Sequence, residues 1–110
     1  MLLHKVNVHS IKEDLLPGVM LVKQRVEDIA QWKSVFNQPE LESVRQQHGL
    51  FVTGTYRAAD EPATVIVVMD MEDLARAKEF ARSDTLASAR AKAGAVGPPD
   101  GIWYGKSRVT

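Results

Sequence analysis

The sequence contains no cysteine, which excludes disulfides, thiolate metal sites and a cysteine nucleophile, and fits a reducing compartment. It also lacks a long apolar run: nowhere do about eighteen apolar residues follow one another, as a membrane-spanning helix requires. The run at Met1-Leu2-Leu3 is too short for a signal peptide. Neither sign of charge is in excess, with 14 Lys plus Arg against 14 Asp plus Glu, so no overall field favours nucleic acid or an anionic membrane. No Gly-rich phosphate loop, zinc-ligand spacing or nucleophile elbow is found, which removes the nucleotide, zinc and serine-hydrolase readings. The expectation is a cytoplasmic protein with a small-molecule partner, no metal and no cofactor.

What is present is ordinary globular composition, 45% hydrophobic and 25% charged over 110 residues, enough for one domain with a modest core. Residues 1–18 stand apart as an arm or short extra strand, in which Val6 and Val8 alternate with polar residues until Pro17-Gly18 turns the chain. The single domain then occupies 19–110. Val19 to Val26 reads as a first strand. Asp28 caps a helix whose apolar face is Ile29, Trp32, Val35 and Phe36. Asn37 to Pro39 breaks it, and Pro39 restarts a second piece in which Leu41, Val44 and His48 share a face until Gly49.

Phe51 to Arg57 and Ala63 to Met69 read as an antiparallel pair of strands across the turn at 58–62. Asp70 is the expected cap of the next helix, with Leu74, Ala77, Phe80 and Ala81 inward. A break near Ser83-Asp84 leads to a further piece through Leu86, Ala89 and Ala93, ended by Gly94. Ile102 to Ser107 is the last strand. The order is β-α-β-β-α-β with each crossover a broken helix, which predicts an α+β, ferredoxin-like domain: a four-stranded antiparallel sheet with the helices on one face.

Thr64-Val65-Ile66-Val67-Val68-Met69 is apolar at both parities, and alternate residues of a strand face opposite sides of the sheet. Helices on one face leave the other as an apolar patch. A second copy of the chain is the simplest cover, and a twofold homodimer the commonest form; a lipid or ligand groove on the open face is the alternative.

The segment Val26-Glu27-Asp28-Ile29-Ala30-Gln31-Trp32-Lys33-Ser34-Val35-Phe36, the stretch Lys78-Glu79-Phe80-Ala81 and the closing Gly94-Ala95-Val96-Gly97-Pro98-Pro99 resemble small bacterial members of the dimeric α+β barrel superfamily. Those members include antibiotic-biosynthesis-monooxygenase and polyketide-cyclase-like proteins. The resemblance implies a pocket between sheet and helices in each subunit, suited to a flat aromatic or polyketide-like compound. The superfamily spans cofactor-free quinone-forming monooxygenases, polyketide cyclases and haem-binding enzymes, so it does not select a reaction. No motif of one branch, with its spacing, occurs here.

Candidate site residues follow from chemistry. His48 is the candidate general base, since histidine titrates near neutrality; a histidine completing the dipole at a helix end is the other role that position suits. Tyr56, sharing parity with Val52 and Gly54, is the candidate to hold a developing oxyanion, with Gly54 either making room for a ligand or marking a bulge. Gln24 on the first strand is a second oxyanion donor and substrate contact, and Trp103 on the last strand an apolar wall. Trp32 reads as core packing. His4 and His9 lie at opposite parity and do not converge on a metal.

The function expected is a small dimeric enzyme acting by acid–base chemistry on an aromatic or polyketide-like molecule, as a cyclase or cofactor-independent monooxygenase. A non-catalytic dimeric binding or assembly module is the alternative, and haem binding through His48 a third.

Overall fold

A computed structural model describes residues 18–110; the expected arm, with His4 and His9, lies outside the described residues but for Gly18. Strands β1 (Gly18–Arg25), β2 (Leu50–Arg57), β3 (Thr64–Met71) and β4 (Gly101–Gly105) form one antiparallel sheet in the order β2-β3-β1-β4. Helices α1 (Ile29–Phe36) and α2 (Pro39–Gln47) connect β1 to β2, and α3 (Leu74–Ala81) and α4 (Asp84–Lys92) connect β3 to β4. This is the ferredoxin-like α+β arrangement.

Local signals set the helix ends. Asp28 Oδ1 accepts from the Ala30 amide at 2.9 Å, and Pro39 opens α2 where its missing N–H costs nothing. Ser83 Oγ accepts from the Leu86 amide at 3.1 Å and donates to the Phe80 carbonyl at 2.8 Å, so one hydroxyl ends α3 and starts α4. Gly49 and Gly94 follow the C-caps of α2 and α4 with φ of 71° and 78°, the left-handed conformation in which a Cβ is strained.

The cap of α3 differs from expectation. Asp73, not Asp70, accepts from the Arg76 amide at 3.1 Å. Strand β3 runs on to Met71 because Met69 and Met71 both fall on the buried parity, paired with Val52 and Leu50, and two more core residues outweigh an earlier helix start. Asp73→Ala is expected to cost about 1 kcal/mol and to lower the thermal midpoint by roughly 4–8 °C in a domain of this size. Asp70→Ala is expected to leave it unchanged.

Register assigns the two sheet faces. Met20, Val22 and Gln24 of β1 lie opposite Met69, Val67 and Val65 of β3. With Met71, Trp32, Leu41, Leu50, Ala77 and Phe80, they enclose the core under the helices. Residues of the other parity, Val19, Leu21, Ile66 and Val68, face away from the helices, as do Phe51, Tyr56 and Trp103.

A bulge in β2 decides the side of Tyr56. Val52 pairs with Met69, but Gly54 pairs with Val68, leaving Thr53 as the extra residue, and its hydroxyl donates to the Val68 carbonyl at 3.2 Å. Parity reverses across Thr53. Val52 stays on the helix side, whereas Gly54 and Tyr56 turn to the open face. Of the two uses considered for Gly54, the bulge is the one observed.

Candidate functional site

Between the sheet and the helices lies a cavity of about 150 Å³. Its floor is β-branched and thioether side chains of β1 and β3, chiefly Met20, Val22, Val65 and Val67. One wall is the aromatic pair Trp32 and Phe36, stacked at 4.6 Å between ring centroids. The facing wall carries Ala81, Ala89 and Ala93. The space exists because these alanines stop at Cβ where the opposite wall offers rings. Trp32 therefore serves as both core and cavity wall.

Three polar side chains reach the lining, Gln24, Arg45 and Arg90; no histidine or carboxylate of the described residues does. Arg45 extends from α2 over the Phe36 ring, 4.1 Å from its centroid, and Nη2 donates to the Phe36 carbonyl at 3.1 Å. It ties the end of α1 to α2. Burial lowers the Arg45 pKa from its usual value, with Glu42 pulling the other way, yet a guanidinium stays protonated near neutrality.

Arg90 and Gln24 form one unit. Arg90 Nη2 and Nε donate to Gln24 Oε1 at 2.8 and 3.2 Å, and Nη2 also donates to the Gly97 carbonyl at 2.6 Å. Gln24 Nε2 in turn donates to the Arg25 carbonyl at 2.7 Å. The turn after α4 is held beside them by Val96 N–H to the Arg25 carbonyl and Asp100 N–H to the Lys23 carbonyl. This end of the cavity is fixed by charge-assisted bonds.

The four expected site residues are not brought together within one chain. Gln24 lines the cavity. Tyr56 and Trp103 stand on the opposite face, 59% and 54% exposed, Tyr56 because of the bulge and Trp103 because it pairs with Leu21. His48 is the C-cap of α2. Its Nδ1 lies 2.9 Å from the Val44 carbonyl, its Nε2 3.7 Å from Glu79 Oε1, and its ring 5.4 Å from that of Phe80. Phe80 lines the cavity and His48 does not, so the helix-end role is the one its geometry matches.

Comparison with solved structures places this arrangement. A monooxygenase of Streptomyces coelicolor, solved in complex with the ligand nanaomycin D, superposes with a TM-score of 0.62 at 17% identity, covering 91% of this chain and 95% of that one. A candidate antibiotic biosynthesis monooxygenase from Caulobacter crescentus gives 0.61 at 18% identity, covering 91% and 98%. The chain shares the ferredoxin-like fold of these structures. A further protein of that description, from Bordetella bronchiseptica, gives 0.61 at 14% identity over 86% and 99% of the two chains. No protein-family model and no curated protein matches the sequence. At such identities the likeness is one of fold, and the site must be read from its own residues.

Arg45 and Arg90 escaped the sequence reading although a signal for them exists. Arg45 follows Leu41 by four residues and Arg90 follows Leu86 by four, so each lies on the inward stripe of its helix. A cation on an apolar stripe is informative when the opposite face is free to carry it instead.

Proposed function

We propose that this chain is a small homodimeric enzyme that transforms a hydroxylated aromatic molecule in the sheet–helix cavity without a bound metal or organic cofactor, as a monooxygenase. The observation that carries this reading is an apolar, aromatic-walled cavity whose charged lining residues are both arginines. A fold shared with a monooxygenase that binds nanaomycin D supports it. The chemistry needs little from the protein. A phenol gives up its proton, the ring carbon of the phenolate bonds to dioxygen, and loss of water leaves a quinone carbonyl, with one oxygen atom retained and the other in the water. The positive charge of the arginines lining the cavity favours the charged form that reacts.

In this reading the proton leaves to water, because the described lining holds no base. His48 stands behind Phe80, and Tyr56 and Trp103 pack in the subunit interface. The test is oxygen uptake above the protein-free rate with one- to three-ring phenols and hydroquinones. Uptake is expected, and His48→Ala is expected to retain it; a large loss in His48→Ala would return the histidine to the role of base. That no acid–base side chain of the described residues lines the cavity equally favours a module that binds such molecules without changing them. Binding of the same compounds with no oxygen uptake, and with no cyclised or isomerised product, would establish that second reading.

A further inference from the structure

We infer that the cavity takes a single-ring aromatic anion, with its carboxylate or phenolate oxygen seated on the Arg45 guanidinium. This rests on the cavity being the ligand site and adds the ligand's size and charge. Arg45 is only 5% exposed, and arginine is seldom buried without a partner. Among the described residues no carboxylate forms an ion pair with it. Glu42, on the same helix, is exposed and accepts from Gln46 Nε2 at 3.3 Å.

A role in joining α1 to α2 accounts for one Nη2 hydrogen bond and the contact with the Phe36 ring. A guanidinium has five N–H donors in a planar fork. No fully enclosed side-chain nitrogen among the described residues lacks a partner, so the Arg45 nitrogens without one are not completely enclosed, and the residue lines the cavity. Such a fork matches the two oxygens of a carboxylate or the single oxygen of a phenolate. Arg90 adds a second positive charge already anchored by Gln24 and Gly97.

Size supplies the other half. A cavity of about 150 Å³ is of the order that holds benzene, whereas sites for larger ligands span roughly 300–1,000 Å³. The stacked Trp32 and Phe36 side chains supply the apolar wall such a ring needs.

Calorimetric titration of the full chain with benzoate, its neutral isostere nitrobenzene, and anthracene-9-carboxylate tests both halves. Benzoate is expected to bind on the order of tenfold or more tighter than nitrobenzene, and the three-ring acid more weakly than benzoate. Arg45→Met is expected to bring benzoate down to the level of nitrobenzene while nitrobenzene binding stays within about twofold, and Arg45→Lys to restore part of the preference. Equal affinities of wild type for benzoate and nitrobenzene, a comparison needing no variant, would overturn the anion assignment and leave the cavity as the ligand site. Preference for the three-ring acid would overturn the size. Binding of none of the three would overturn the cavity reading and this inference with it.

Discussion

Ala89→Phe is expected to weaken binding of aromatic ligands close to a hundredfold while leaving the protein folded. Ala89 sits on α4 at the alanine wall of the cavity. A phenyl group there would occupy the space that the ligand ring needs, a cavity of about 150 Å³ being of the order that holds one benzene. A ring that buries on the order of 100 Å² of apolar surface gains about 2.5 kcal/mol, so excluding it weakens binding close to a hundredfold. Filling an empty space is stabilising when the new side chain fits and costs about 1–3 kcal/mol when it does not. Titration with benzoate beside thermal melting separates the outcomes. Retained affinity in a folded Ala89→Phe protein would place the ligand elsewhere, with the open sheet face as the next candidate.

A second large effect is expected on assembly. The wild type should sediment at twice the 12.2 kDa of one chain, and Val68→Glu should sediment as a single chain with its far-ultraviolet dichroism intact. Val68 lies mid-strand on the open face, between Leu21 of β1 and Gly54 of β2. Ile66, Phe51 and Trp103 share its side of the sheet. In a lone chain a glutamate there reaches water; in a twofold dimer two carboxylates are desolvated against each other. That costs on the order of several kcal/mol, a thousandfold or more in the dimer dissociation constant. A wild type that sediments as one chain at micromolar concentration would remove the homodimer and, with it, the account of why both parities of β3 are apolar.

The contrast between helix ends and strand faces explains how much was legible beforehand. Asp28, Pro39, Gly49 and Gly94 act within a few residues of themselves, through one amide, one missing donor or one left-handed φ, and these positions are readable without neighbours. Asp70 and Asp73 each suit a cap, and the choice between them is made by Met71, whose burial against Leu50 and Gly18 exists only once the sheet has formed. Tyr56 shows the same dependence more sharply. Counting parity along β2 puts it with Val52, but one unpaired residue at Thr53 reverses every side chain beyond it. Nothing in Val52-Thr53-Gly54 specifies which residue is left over, since that follows from the register of β3 against both neighbours.

Element order, the broken crossovers, the antiparallel pairing and the two-sided apolar character of β3 were thus determined by the sequence alone, because period, punctuation and parity are properties of short stretches. The tertiary structure alone decided that Gln24, Arg45 and Arg90 meet at one cavity and that His48, Tyr56 and Trp103 do not. Those three polar residues come from β1, α2 and α4, whereas a bulge in β2 turns Tyr56 to the open face and the end of α2 holds His48. Proximity across elements is set by packing, and packing leaves no mark in the local pattern of the chain.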